Sequence, residues 1–152
     1  MPAKTCDFHP DTILYFVEDD YLHRTGWLDV LFEGMQVADY ATLYDHNDKY
    51  RLYPNLQSRV FATQTCHWRT TPSTTNTFAL RTKTLLRDLA IHRQFSQDRA
   101  VSADHEKFCK LQTRGTMLIS SLPGWATHCE PEFASPCVDW ESLLTRSPSY
   151  AN

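Results

Sequence analysis

The chain has 152 residues, of which 41% are hydrophobic and 22% are charged, and its formal net charge at pH 7 is −3. This length predicts a single domain, residues 1–152, with enough residues to bury a core. The slightly acidic balance lacks the basic footprint of nucleic-acid-binding proteins, so no nucleic-acid partner is expected.

Targeting signals and the cysteine pattern indicate in which cellular compartment the protein is expected. No apolar run approaches the length of a membrane-spanning helix, and the N-terminus lacks the hydrophobic core of a signal peptide. The cysteines are odd in number, irregularly spaced and without a C-x-x-C pair, which favours reduced thiols in a cytoplasmic protein. They are Cys6, Cys66, Cys109, Cys129 and Cys137.

The most informative segment is an apolar run, residues 13–17, that ends in Glu18, Asp19 and Asp20. The run predicts a strand buried on both faces. Three adjacent carboxylates repel one another and are costly to desolvate without a counter-charge, which suits a hard divalent cation. In extended geometry Glu18 and Asp20 point the same way and would face the metal. The alternative is a strand-to-helix turn in which Asp20 caps the helix.

The rest of the chain predicts alternating strands and helices. In chain order, hydrophobic periodicity predicts a helix over 25–35, a strand over 37–44, a strand and turn over 59–69, a strand over 77–80, a helix over 82–94, a helix opening at 102–106 and a strand over 117–120. Ser102 or Asp104 is the expected cap of the last helix. Pro72 argues against a central strand in the hydroxyl-rich segment 70–76, and the tail 146–152 is expected to fray.

The strand, Glu18-x-Asp20 and the following Trp27-bearing helix resemble the metal-binding centre of GT-A fold glycosyltransferases, the nucleotide-diphospho-sugar transferase superfamily. Residues 103–106 resemble the acidic acceptor-site motif of that family, and residues 125–128 resemble its late histidine. The resemblance implies a Mn²⁺ or Mg²⁺ ion held by Glu18, Asp20 and His128. It also implies a nucleotide-sugar donor and a carbohydrate or other hydroxyl acceptor.

The same resemblance assigns the general base to Asp104, with Glu106 as the second candidate. For Asp104 the open alternative is a simple helix cap. Aromatic rings pack on sugar faces and guanidinium groups hydrogen-bond their edges, so the substrate side is assigned to four further residues. They are Asp19, Trp68, Arg69 and Trp125. For Trp68 the alternative is a buried core residue beside a solvated loop.

Family members carry a long nucleotide-binding segment ahead of the acidic strand, whereas a dozen residues precede Ile13 here. The expected fold is therefore α/β, a partial GT-A-like mixed sheet flanked by helices, without the N-terminal nucleotide-binding half. Exposed strand edges would invite self-association, and the chain alone should bind nucleotide weakly. A non-catalytic carbohydrate- or partner-binding module derived from that fold is the main alternative. A metal-dependent hydrolase is disfavoured because no paired ligand motif accompanies the carboxylates.

Overall fold

The computed structural model describes residues 8–98 and 103–146. The protein is mixed α/β, with a mixed sheet flanked by helices and a separate two-stranded ribbon. The strands are β1 (Ile13–Phe16), β2 (Tyr21–His23), β3 (Tyr40–Thr42), β4 (Val60–Ala62), β5 (His67–Thr70), β6 (Phe78–Arg81), β7 (Leu118–Leu122) and β8 (Ala126–His128). The helices are α1 (Trp27–Gly34), α2 (Asp48–Arg51), α3 (Thr82–Ser96), α4 (Asp104–Gln112) and α5 (Trp140–Arg146), with a 3-10 turn at Pro131–Phe133.

The main sheet has six strands in the order β1-β6-β3-β7-β5-β4. The central pair β3 and β7 is parallel, whereas β1, β6, β5 and β4 pair antiparallel with their neighbours. The ribbon joins β2 and β8 in antiparallel register. This arrangement confirms the expected mixed sheet with flanking helices.

Side chains alternate between two cores, one on each face of the sheet. Ala41 and Ile119 join the core beneath α1, which also contains Val30 and Leu31. The residues next to them on the strands face the other way and join the core beneath α3 and α4. That second core includes Tyr40, Leu80, Ile91, Phe108, Leu111 and Leu118. The fold therefore has three layers, with the central strands buried on both faces.

Gly34 marks the closest contact between α1 and the sheet. A Cβ atom at this position would lie 2.5 Å from Cη2 of Trp68, a ring that is fully buried. We expect Gly34→Ala to destabilise the protein by about 1–3 kcal/mol in urea unfolding, because overpacking forces neighbours to shift. Trp68→Phe shortens the ring, so the same substitution should cost less in that background. An equal cost in both backgrounds would contradict the steric explanation.

The position of β1 differs from the sequence-based expectation. It lies at the edge of the sheet with β6 as its partner, so its residues are half-buried rather than buried on both faces. Phe16 and Val17 are 43% and 50% exposed. The carboxylates that follow lie in the connection between β1 and β2 rather than in extended geometry. Asp20 does not cap a helix, since β2 intervenes before α1, whose N-cap residue is Gly26.

The bounds of several other elements also differ from the sequence-based prediction. The segment 59–69 contains two strands, because β5 begins where a turn was expected, and neither α2 nor α5 was predicted. The N-cap of α4 is Ala103, while Ser102, Cys6 and residues 147–152 of the tail lie outside the described residues.

The remaining cysteines are free thiols. Within the described ranges, no helix is long and apolar enough to span a bilayer.

A buried polar network joins Tyr40 on β3 to Asp88 and His92 on α3, and one of its members titrates in mild acid. Tyr40 donates its hydroxyl to Asp88 Oδ2 at 3.0 Å and contacts His92 Nε2 at 2.9 Å. Burial, and secondarily the charge of Lys107, lowers the pKa of His92 from 6.5 to about 4. Protonation of His92 therefore favours the unfolded chain, in which the histidine pKa is normal.

We expect the free energy of unfolding to be highest above pH 6.5 and to fall as the pH drops from 6.5 to 4. The loss should be about 1–2 kcal/mol, since partial exposure of the ring reduces the full linkage effect. Urea unfolding at several pH values measures it. His92→Gln keeps an N–H donor for Tyr40 but does not titrate, so its stability should change less over this interval. An identical pH dependence would contradict the assignment.

Candidate functional site

The acidic turn, defined as Glu18, Asp19 and Asp20, is held by the β2–β8 ribbon. The register of the ribbon places Tyr21 opposite His128, next to Asp20. Cys129 donates its backbone N–H to the carbonyl oxygen of Asp20 at 2.8 Å. The side chains then meet, with 3.0 Å between His128 Nε2 and Asp20 Oδ2. Two of the three predicted metal ligands are therefore neighbours.

The protonation of His128 follows from its other ring nitrogen. Glu130 donates its backbone N–H to Nδ1 of His128 at 3.0 Å, so Nδ1 is an acceptor. A neutral imidazole then carries its proton on Nε2 and donates it to Asp20. In this arrangement His128 orients the carboxylate of Asp20. A protonated Nε2 has no lone pair for a cation, so ligation through Nε2 requires the tautomer with the proton on Nδ1.

Glu18 lies at the centre of a negative cluster. Its side chain is hydrogen-bonded to Thr75, and its backbone N–H donates to Thr77 Oγ1 at 3.2 Å. Burial raises the pKa of Glu18 above its ordinary value, and the charges of Asp104 and Asp20 raise it further. The acidic turn and the start of α4 are therefore electrostatically coupled, and a cation would relieve their repulsion.

Asp104 occupies the first position of α4 and lines a polar cavity of about 230 Å³. Thr75, the hydrogen-bond partner of Glu18, lines the same cavity, so the acidic turn lies beside the cavity although its own residues do not line it. Asp104 is not the helix cap, since Ala103 is at that position and makes no side-chain capping bond. Glu106 is exposed on the same turn and does not line the cavity.

The cavity is lined by hydroxyls, imidazoles and one neutralised ion pair. Lys49 donates to both oxygens of Asp48, at 2.7 and 2.8 Å. His105 contacts the hydroxyls of Ser73 and Tyr53 through Nδ1, at 3.1 and 3.2 Å. The complete lining is His46, Asp48, Lys49, Tyr53, Ser73, Thr74, Thr75, Asp104 and His105. This surface suits a ligand with several hydroxyl groups.

Trp68 and Arg69 lie in the interior, away from this cavity. Trp68 is fully buried beneath Gly34 and has no ring face for a sugar, as in the alternative interpretation of this residue. Arg69 is 8% exposed and donates from Nη2 to Asp45 Oδ1 at 2.7 Å. Its guanidinium also lies over the ring of Tyr50, at 4.9 Å from the centroid. The structure therefore does not support substrate contact by either residue.

The side chains of Trp125 and Asp19 are at least partly exposed to solvent. The guanidinium of Arg24 lies over the ring of Trp125, 4.2 Å from its centroid, so one ring face is covered. Trp125 precedes β8, whereas His128 ends it, so the two residues lie at opposite ends of this strand. Asp19 is exposed in the acidic turn.

Several cavity residues had no sequence signal. His46, Lys49 and Tyr53 share no ligand-like spacing with the acidic motif, and the fold alone brings them beside the hydroxyl-rich segment. In the part of the chain that the structure describes, no three His, Cys, Asp or Glu side chains form a ready metal-binding group. Comparisons with family models, curated proteins and solved structures found no match to this chain.

Proposed function

We propose that the protein is a metal-dependent glycosyltransferase of the GT-A type, or its catalytic C-terminal half. It would transfer a sugar from a nucleotide-diphosphate donor to a hydroxyl acceptor. The observation that supports this proposal is that Thr75 bonds the side chain of Glu18 and also lines the cavity of Asp104, so the acidic turn lies beside that cavity. A cation-binding turn and a proton acceptor side by side are what glycosyl transfer requires.

The carboxylates of Glu18 and Asp20 fit a hard divalent cation such as Mn²⁺ or Mg²⁺. Such an ion keeps open positions for phosphate oxygens when the protein supplies one or two carboxylates. His128 would contribute by orienting Asp20, and would be a ligand through Nε2 only in the other neutral tautomer, with the proton on Nδ1 and without the bond from Glu130 N–H. When bound, the ion would neutralise the charge that develops on the diphosphate leaving group.

Asp104 would act as the general base. The acceptor hydroxyl loses its proton to the Asp104 carboxylate, the acceptor oxygen bonds to the anomeric carbon, and the bond from that carbon to the diphosphate breaks. The hydroxyls of Ser73 and Thr74 and the imidazole of His105 line the cavity and can hold the other hydroxyls of the acceptor. Holding the acceptor in place makes the attack effectively intramolecular.

Calorimetric titration with Mn²⁺, alone and with UDP or GDP, tests the proposal. We expect at least one nucleotide to bind only when Mn²⁺ is present, because the ion would offset the repulsion between the diphosphate and the carboxylates of the acidic turn. Asp29→Asn, an exposed change on α1, is the matched control and should bind as the wild type does. Failure of both nucleotides to bind with Mn²⁺, or equal binding with EDTA, would contradict the proposal.

A non-catalytic carbohydrate-binding module is the second candidate. The favouring observation is that the cavity side chains hold one another without a cation, through the Lys49–Asp48 and His105–Ser73 contacts. This function predicts sugar binding that is insensitive to EDTA and to Asp20→Asn. The transferase predicts that donor binding is lost under both conditions.

A further inference from the structure

Lys107 is a buried cation next to the proposed base. Only 1% of the residue is exposed, although it carries an ammonium group. Its Nζ donates to Asp104 Oδ1 at 3.0 Å and to Asn76 Oδ1 at 2.9 Å. The same nitrogen lies 5.1 Å from the ring centroid of Phe78 and 5.2 Å from that of Phe108. The contact thus joins the first turn of α4 to the hydroxyl-rich segment.

The stability of the fold does not explain this arrangement. Between two phenylalanine rings an apolar side chain of similar volume would pack well, and buried ion pairs can often be replaced in this way without loss of stability. An ion pair does fix the direction of the groups that it joins. The position of Asp104 is the property that Lys107 controls here.

Asp104 needs such control because it lines the polar cavity with 21% of its side chain exposed, so solvent competes for its carboxylate. A buried donor with a fixed position holds the carboxylate in one direction. The Nζ of Lys107 holds one oxygen of Asp104, while its bond to Asn76 anchors the ammonium to the wall that contains Thr75.

We propose that Lys107 is a positioning residue, which fixes the Asp104 carboxylate through its own buried ammonium and aims it at the acceptor cavity. This inference rests on the proposed transferase function. Lys107 does not touch the substrate in this role. Its effect on the reaction passes through Asp104, so the two residues should behave as one unit in kinetics.

The first test is Lys107→Met, which keeps an unbranched side chain only one atom shorter and removes its charge. Turnover, measured as UDP or GDP release from sugar nucleotides, should fall roughly tenfold to a hundredfold, as expected for a misplaced catalytic group. The donor KM should stay unchanged, because donor binding depends on the acidic turn. Lys110→Met removes the same charge from an exposed position of α4 and is the matched control. Unchanged turnover in Lys107→Met would overturn the inference.

A double-mutant cycle separates positioning from an independent role. If Lys107 acts through Asp104, Lys107→Met should cause no further loss of turnover in the Asp104→Asn background. A full additional loss there would overturn the inference. Should Lys107→Met fail to fold, Asn76→Ala loosens Lys107 from its other side. It should also lower turnover, and wild-type turnover in Asn76→Ala would count against the proposal.

The same cycle, measured by urea unfolding, needs no enzymatic activity. Lys107→Met leaves the Asp104 charge without its partner, so adding Asp104→Asn should recover part of the lost stability. Additive effects would overturn the contact on which the inference rests. If the wild type releases no nucleotide but the stability cycle shows coupling, the transferase function fails while the Lys107–Asp104 pair stands.

Discussion

Asp104→Asn should lower turnover by roughly a hundredfold to ten-thousandfold, the usual contribution of a positioned general base. Asparagine has nearly the same shape, and its amide oxygen can still accept the hydrogen bond from Lys107. Ala103 is the helix cap, so the substitution removes no capping bond. Donor affinity should therefore change little, whereas the melting temperature should fall, because the buried ammonium of Lys107 loses its counter-charge. Steady-state kinetics, calorimetry and thermal unfolding of the full chain measure the three quantities.

The controls for Asp104→Asn are chosen from the same turn and from a distant helix. Glu106→Gln tests the second candidate base, which is exposed and outside the cavity. Asp29→Asn removes an equal charge far along the chain and should leave turnover intact. Near-normal turnover in Asp104→Asn would indicate that Glu106, or a group of the substrate itself, is the general base. Unfolding of the variant would instead make Asp104 a structural residue.

Long, strongly periodic segments of the fold could be predicted from the sequence. The helix expected over 82–94 is α3, and the strand expected over 77–80 is β6. The apolar run of β1 was correctly predicted as a strand, but its predicted burial on both faces was wrong. Burial of a strand depends on its neighbours, and pairing with one strand at the sheet edge is a long-range outcome that local composition does not encode.

One contact between distant segments agrees with the family resemblance: Asp20 and His128 were assigned to one site, and the ribbon brings them to 3.0 Å. Trp68 and Arg69 were assigned to the substrate by residue type alone. Their strand β5 is the neighbour of β7 within the sheet, which buries both side chains. Nothing in the sequence distinguishes Lys107 from an exposed helix lysine, and only the fold reveals its burial.

Asp20→Asn should abolish the Mn²⁺-dependent binding of UDP or GDP. The variant loses a full negative charge from the acidic turn, and an amide oxygen is a poorer ligand for a hard cation than a carboxylate. Removal of an outer residue of a metal site already costs roughly 10–100-fold in affinity. We therefore expect a larger loss for a direct ligand.

The fold should tolerate Asp20→Asn, which makes the binding result interpretable. Asp20 is partly exposed, and its replacement lessens the repulsion on Glu18. The backbone bond from Cys129 to the Asp20 carbonyl is independent of the side chain, so the ribbon keeps its register. Calorimetry with Mn²⁺ and each nucleotide should show the loss, while Asp29→Asn retains wild-type binding. Wild-type affinity for Mn²⁺ and nucleotide in Asp20→Asn would place the cation elsewhere and remove the basis for metal-assisted departure of the diphosphate at this turn.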